Sequence, residues 1–250
     1  MDQSVYGWWL PPDVSVHGAG IDHLISVLHY FMAVLFVGWG IFFAYTLVRF
    51  RKREGHAATY EPISGSFSKY LEIAVALFEV FVLLGLSMPV WASYKNDPPS
   101  EAEALRVRVT AQQFAWNFHY AGPDGKFGRT DQSLVNRMNP LGRDFDDPVA
   151  KDDVVSVNIF HFPVDKPVVT EVRSLDVIHS FSIPVLRVKQ DAIPGINVPV
   201  WFEAKETGHF QLACAQLCGS GHYRMGAEVF IDTAEQYGAW IDGKVKEAQE

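Results

Sequence analysis

Two thiols, an imidazole and a thioether stand close together in Cys214-Ala-Gln-Leu-Cys218-Gly-Ser-Gly-His222-Tyr-Arg-Met225. The spacing is four residues from thiol to thiol, four to the histidine and three to the methionine. These are soft or borderline ligands, and as a set they select copper among the first-row metals. The loop follows a strand-like stretch, Gly208-His-Phe-Gln-Leu-Ala213. Such a site takes one more ligand, usually a histidine, from an earlier strand. His179, in Leu175-Asp-Val-Ile-His-Ser-Phe181, is placed for that. A mononuclear blue site needs one thiolate. Two thiolates can bridge two coppers, with one histidine terminal on each and Met225 and a backbone carbonyl completing the pair. The competing chemistry is a disulfide, the default for two cysteines in an oxidising compartment. Met225 taken alone reads as a core residue. The histidines at 17, 23, 29, 56, 119, 161 and 209 read as structural or solvated, with His161 and His209 next in line as ligands.

The elements that must position this loop come in two kinds. The chain has 250 residues, 48% hydrophobic and 14% aromatic, which suits one globular domain plus membrane segments. A net charge of −8 argues against nucleic acid as a partner. Both cysteines lie in one loop, so no disulfide framework is available. The start, Met-Asp-Gln-Ser-Val-Tyr-Gly-Trp-Trp-Leu, lacks the basic region and apolar run of a cleavable signal. Residues 1–20 read as an irregular extracytoplasmic leader, broken at Pro11-Pro12 and Gly18-Ala-Gly20. Leu24 to Val48 then runs 25 residues without a charged side chain, enough to cross a hydrocarbon core with some tilt, and sets a first transmembrane helix over 21–50. Arg49, Arg51, Lys52, Arg53 and Lys69 crowd the following loop, 51–69. The positive-inside rule makes that loop cytoplasmic and puts both termini and the copper loop outside.

Leu71 to Trp91 is the second apolar segment, with a helix expected over 70–92. It carries Glu72 and Glu79, two helical turns apart on one face. A carboxylate at membrane depth costs a few kcal/mol and marks an ion path or a protein contact. Glu72, near the cytoplasmic end, can also reach the interface. Glu79 sits deeper and is expected to be protonated or hydrogen-bonded to a partner subunit. A linker of turn formers, 93–100, precedes a domain over 101–232. Its strands are expected at Leu105–Val109, Phe114–Tyr120, Val154–Phe162, Val168–Val172, Val198–Glu203, Phe210–Ala213 and Ala227–Ile231. Short strands with turns between them predict a Greek-key β-sandwich. Residues 121–153 read as a long acidic excursion, and Thr233 as the cap of a final helix within 233–250. From Ala92 onward 16 Lys and Arg face 22 Asp and Glu, a net of −6. That balance serves solubility, or steers a basic electron donor.

The pattern Cys-x-x-x-Cys-x-x-x-His-x-x-Met, the upstream Asp176-Val-x-His179-Ser-Phe181 and the run Val185-Leu-Arg-Val-Lys-Gln-Asp-Ala-Ile-Pro-Gly195 together resemble subunit II of the haem–copper cytochrome c oxidases. The resemblance implies a membrane-anchored all-β protein, two N-terminal transmembrane helices followed by a cupredoxin-like Greek-key β-sandwich. It implies a binuclear copper centre, CuA, held by His179, Cys214, Cys218, His222, Met225 and the main-chain carbonyl of Gln216. Leu212, Leu217 and Phe181 would keep water from it and help set its potential. It implies a chain in a bacterial inner membrane, with the copper domain on the periplasmic side. Its partners are then subunit I and the other oxidase subunits, membrane lipid, and cytochrome c or another c-type donor. Electrons pass singly from that donor to the haem of subunit I, and the complex reduces dioxygen to water and pumps protons. Glu72 matches a glutamate at the mouth of a proton channel into subunit I.

This chain holds no haem ligands and no Cys-x-x-Cys-His, so its donor is a separate protein. It departs from the family twice. Gln216 stands where many members have a glutamate that helps bind magnesium at the subunit I interface, which puts magnesium in doubt. Gln113-Phe114-Ala115-Trp116 stands where many have Gln-Trp-x-Trp, so Phe114, Trp116 and Asp176 are the candidates for electron arrival or donor docking. Three alternatives fit less of the chain. A Sco-type copper chaperone has one anchor, an α/β pattern and early cysteines. A metal-free structural subunit of a quinol oxidase lacks the copper ligands. Nitrous oxide reductase shares the copper motif but needs a large histidine-rich propeller.

Overall fold

The computed structural model of the chain describes residues 9–58, 60, 65–95, 98–100 and 102–249. The opening of the expected leader, part of the expected cytoplasmic loop (59 and 61–64) and part of the linker (96–97) lie outside the described residues. The chain divides into two compact units, Gly20–Asp97 and a second made of Met1–Ala19 with Pro98–Glu250.

The first unit is built on two long apolar helices. Helix α1 is Gly18–Arg49, of 32 residues. The second runs 29 residues, Phe67–Lys95. It comprises α2, Phe67–Phe81, a π-helical stretch, Val82–Ser87, and α3, Met88–Lys95. At about 1.5 Å per residue either exceeds the ~30 Å of a hydrocarbon core. Both begin three residues before the expected spans, because a helix satisfies its own backbone and continues into polar flanks where nothing breaks it. The π-helical stretch precedes Pro89, which offers no N–H to the ladder and whose ring crowds the carbonyl four residues back, at Gly85. Phe31 and Phe78 pack with centroids 4.2 Å apart, while most other apolar side chains face outward, as lipid or partner helices require.

The second unit is a sandwich of two five-stranded sheets. The strands are β1 Leu105–Gln112, β2 Ala115–Tyr120, β3 Val154–Val157, β4 Ile159–Pro163, β5 Val168–Ser174, β6 His179–Ile183, β7 Val188–Ala192, β8 Val198–Phe202, β9 Gly208–Cys214 and β10 Gly226–Asp232. One sheet runs β3-β2-β1-β5-β8 and the other β4-β10-β9-β6-β7. Pairs β1·β5 and β10·β4 are parallel and the rest antiparallel. Alternate residues of strands such as β5 and β10 face the core, where Phe118 stacks on Phe160 at 4.5 Å beside Trp116, Phe162, Phe181 and Phe202.

Three expectations change. Val154–Phe162 is two strands in different sheets. Asn158 sits between them in the left-handed region at φ 57°, which an Asn tolerates. Its Oδ1 accepts from the Trp116 N–H at 2.8 Å, its own N–H donates to the Trp116 carbonyl at 2.8 Å, and its carbonyl accepts from Glu228 at 2.9 Å. Strands β6 and β7 carry no alternation strong enough to be read from sequence, since His179, Ser180, Phe181 and Ile183 of β6 are all buried and β7 puts Lys189, Gln190 and Asp191 in a row between its buried ends.

The described part of the leader is docked rather than loose. Ser15 bridges to Ala204, Val14 donates to Val185 and accepts from Lys205, and Val14 is buried in the core. The Asp13 carboxylate holds the Ser15 amide and hydroxyl and the Lys205 ammonium, the last at 3.0 Å. Gly18 is required beside it, because a Cβ there would fall 1.9 Å from Asp13 Oδ1. In the 121–153 excursion the acids serve structure. Asp131 and Asp147 cap short 3₁₀ turns, Asp144 pairs with Arg129, and buried Asp153 holds His119 at 2.7 Å. Helix α4, Ala234–Gln249, starts at a reciprocal cap between Thr233 and Gln236.

Candidate metal centre

Strand β9 delivers Cys214 into the interior, and its N–H donates to the Met225 carbonyl at 3.0 Å, closing the base of the loop onto the start of β10. Strand β6 pairs beside β9 with Phe181 opposite Cys214, so His179, two residues earlier and on the same face, reaches past the thiol. The Ala215 N–H donates to the Ser180 carbonyl at 3.0 Å and ties the loop to β6. A short 3₁₀ turn, His222–Arg224, then points His222 and Met225 back inward.

The donor atoms converge. The two sulfurs are 3.8 Å apart, nearly twice the ~2.05 Å of a disulfide, so they stand as two separate thiols. Cys214 Sγ lies 3.9 Å from His179 Nδ1 and 3.2 Å from the Gln216 carbonyl. Cys218 Sγ lies 3.6 Å from His222 Nδ1 and 3.7 Å from Met225 Sδ. Each thiol therefore has its own imidazole and its own weaker donor. The ligand atoms of His179, Cys214 and Cys218 lie within 4.8 Å of one another, and all three residues are buried. Burial first, and then the neighbouring Cys214 thiol, push the Cys218 thiol up to about 11. A bound cation inverts that balance. Two thiols, two imidazoles, a thioether and one carbonyl form a donor set that fits a soft metal, copper foremost.

A second layer fixes these donors. Asp176 Oδ1 accepts from His179 Nε2 at 2.9 Å, which leaves the Nδ1 lone pair turned toward the thiols. Asp176 also accepts from the Gln113 and Val177 amides, each at 2.7 Å. Desolvation would raise this carboxyl, but the hydrogen bonds from His179, Gln113 and Val177 win and hold it below the ordinary carboxylate range. The Gln113 side chain donates to the Cys218 carbonyl at 2.6 Å, so one residue ties the carboxylate to the loop. Phe114 lies half-buried under the loop. A Cβ on Gly221 would fall 2.4 Å from its ring, and one on Gly219 would fall 2.7 Å from Gln113 Nε2. The roles of Gln113 and the two glycines were missed in the sequence. Their signal was only their place in the motifs, because their work depends on neighbours about a hundred residues away.

The remaining candidates are dispersed. Trp116 is wholly buried, its ring 6.2 Å from His179 and 5.9 Å from Phe181, so it is no docking contact. Leu212 and Phe181 are buried as expected. Leu217 is not, because the turn of the loop leaves it 76% exposed. His161 is held by Asp232 at 2.6 Å and stacked between Phe230 and Trp240, and His209 is held by Glu228, so both are structural. Glu72 and Glu79 lie on α2, in the other unit.

Residues 105–231 match the family described as cytochrome c oxidase subunit II, periplasmic domain. An alternative cytochrome c oxidase subunit 2 of Bradyrhizobium diazoefficiens is 34% identical over 236 residues, which cover 94% of this chain and 83% of that one. A cytochrome c oxidase subunit 2 of Cereibacter sphaeroides is 28% identical over 252 residues, covering 94% and 80%. The crystal structure of the periplasmic domain of subunit II of cytochrome oxidase from Bradyrhizobium japonicum is 30% identical, with a TM-score of 0.45, and spans 60% of this chain and 99% of that one. With the match running from β1 into β10, this chain belongs to the cytochrome c oxidase subunit II family.

Proposed function

We propose that this chain is the subunit through which electrons enter a proton-pumping oxidase, taken singly from a separate c-type cytochrome and passed to the haem of subunit I. One observation carries the reading: two thiols 3.8 Å apart, each with its own imidazole and its own weaker donor. His179, Cys214, the Gln216 carbonyl, Cys218, His222 and Met225 would hold two coppers. Bound there, the metals supply one-electron redox chemistry. The residues themselves supply rigidity and dryness. The neighbouring strands β10, β9 and β6 of one sheet pin the ligands, Asp176 fixes the tautomer of His179, and Leu212, Phe181 and Trp116 exclude water. Gln216 offers an amide where a magnesium ion prefers a carboxylate, so magnesium is not part of the proposal.

The two apolar helices anchor the chain, which suits a subunit of a membrane complex. We place it in a bacterial inner membrane, with residues 51–69 cytoplasmic and the β-domain periplasmic, on the strength of the basic side chains between the helices. Glu72 is assigned to the mouth of the proton path. Glu79 is assigned a protonated or hydrogen-bonded state against a partner subunit, since a bare charge at that depth costs about 2.5–3.5 kcal/mol or more. Glu79→Gln should slow or uncouple proton uptake, and wild-type turnover and pumping in that variant would remove Glu79 from the path.

The central experiment is copper content with electron paramagnetic resonance on the full chain, residues 9–19 included because Val14 completes the core. Two coppers per chain sharing one unpaired electron is the expected result. The sharing should be lost in Cys214→Ser and in Cys218→Ser. One copper localised on one metal would point to a mononuclear site or a chaperone. No copper, with the cysteines joined, would leave a structural subunit.

A further inference from the structure

A cavity of about 500 Å³ opens on the outer face of the sheet that contains β5, between residues 130–141 of the excursion and the turn at 194–197. Arg173, Asp131, Ser174 and Asn197 give it polar walls, and Leu175 and Ile196 apolar ones. Arg173 is its one cation. The Nε of Arg173 donates to Thr110 Oγ1 at 2.9 Å, which sets the plane of the guanidinium. Its two outer nitrogens have no partner among the described residues. Glu171, the carboxylate on the same face, is taken by Arg108 at 3.1 Å and Arg106 at 3.4 Å. The Asp131 carboxylate is engaged with the Ser133 amide and hydroxyl, at 2.7 and 2.6 Å. Burial, and then the nearby Arg108 charge, push Arg173 below its ordinary range, and the Glu171 charge offsets them only in part.

We propose that this cavity binds a small organic anion, a carboxylate or a phosphate ester, with its acidic group on the open edge of the Arg173 guanidinium and its body against Leu175 and Ile196. A guanidinium presents two parallel donors that match both acidic groups. The volume falls in the usual range of small-molecule sites. Asn197 and Ser174 supply uncharged hydrogen-bonding groups beside the cation. The site goes beyond the copper reading and needs no metal.

The test is calorimetric titration of the purified, metal-free full chain in detergent, with inorganic phosphate in one arm and succinate in the other, at fixed ionic strength. One site per chain is expected, and whichever anion binds names the acidic group. Arg173→Gln should weaken binding about ten- to a hundredfold, the worth of a hydrogen bond to a charged group. Asn197→Asp, which adds a carboxylate to the cavity and leaves Arg173 in place, should weaken it likewise. No saturable binding of either anion up to about 10 mM, or equal binding by the wild type and both variants, overturns the proposal.

Discussion

At the scale of single residues, the ligands are only as good as what holds them. His179 can present Nδ1 to a metal because Asp176 accepts the hydrogen bond from Nε2–H and keeps the proton on that nitrogen. Asp176→Asn keeps the shape and loses the charge, and should weaken copper binding about ten- to a hundredfold while the fold persists. Competition with a copper chelator measures this, and unchanged retention would reduce Asp176 to a bystander. Gly221 has an ordinary backbone, yet an added Cβ strikes the Phe114 ring at 2.4 Å. Gly221→Ala should therefore lose copper, and Phe114→Ala in the same chain should restore part of it. A double variant no better than the single would show that the contact is not what sets the loop. Trp116 is fully buried and offers no surface to a docking protein, so Trp116→Phe should leave the KM for the c-type donor unchanged. A raised KM would return Trp116 to the docking surface.

At the scale of elements, Asn158 is where one apparent strand becomes two. Val154–Phe162 reads as a continuous β-branched and aromatic run, and nothing local marks its break except an Asn. The break exists because β3 must finish one sheet and β4 begin the other, and the left-handed residue between them turns the chain. Asn158→Val would force a β-branched side chain into that conformation, at about 1–2 kcal/mol, and remove the acceptor for the Trp116 N–H, at about 1 kcal/mol. A loss of about 2–3 kcal/mol in denaturant unfolding is expected, with Asn158→Gly losing less. Equal losses in the two would show that the conformation is not the source. The excursion shows the reverse case. Its acids read in sequence only as a long charged excursion, but caps, Arg129 and His119 occupy most of them once the chain is folded.

At the scale of the whole molecule, the β-domain is completed by residues that precede the first helix. Val14 fills the core and Asp13 is clamped by Ser15 and Lys205. Desolvation pulls the Asp13 carboxyl upward, but those hydrogen bonds prevail and its folded value lies below the ordinary 3.8. A carboxyl depressed on folding stabilises the fold fully above its unfolded value, and the contribution is lost as pH falls through the folded one. Asp13→Asn should thus lower the Tm at neutral pH, and the gap to wild type should narrow as pH drops below about 3.8. A gap that stays constant with pH would mean that packing, not charge, is what Asp13 contributes.

Much of this protein was legible in its residues. Ligand types and spacings are local facts, so the soft-metal donor set of Cys214, Cys218, His222 and Met225 could be read directly. The two apolar runs and the basic side chains between them are equally local, because lipid tests each segment by its own composition. Thr233 announced its helix for the same reason. The tertiary structure decided what depends on distant neighbours. It put Gln113 on the Cys218 carbonyl, buried Trp116, split the strand at Asn158 and folded the leader into the core. Each of these is set by a contact between segments far apart in the chain, and composition or period along one segment carries no record of such a contact.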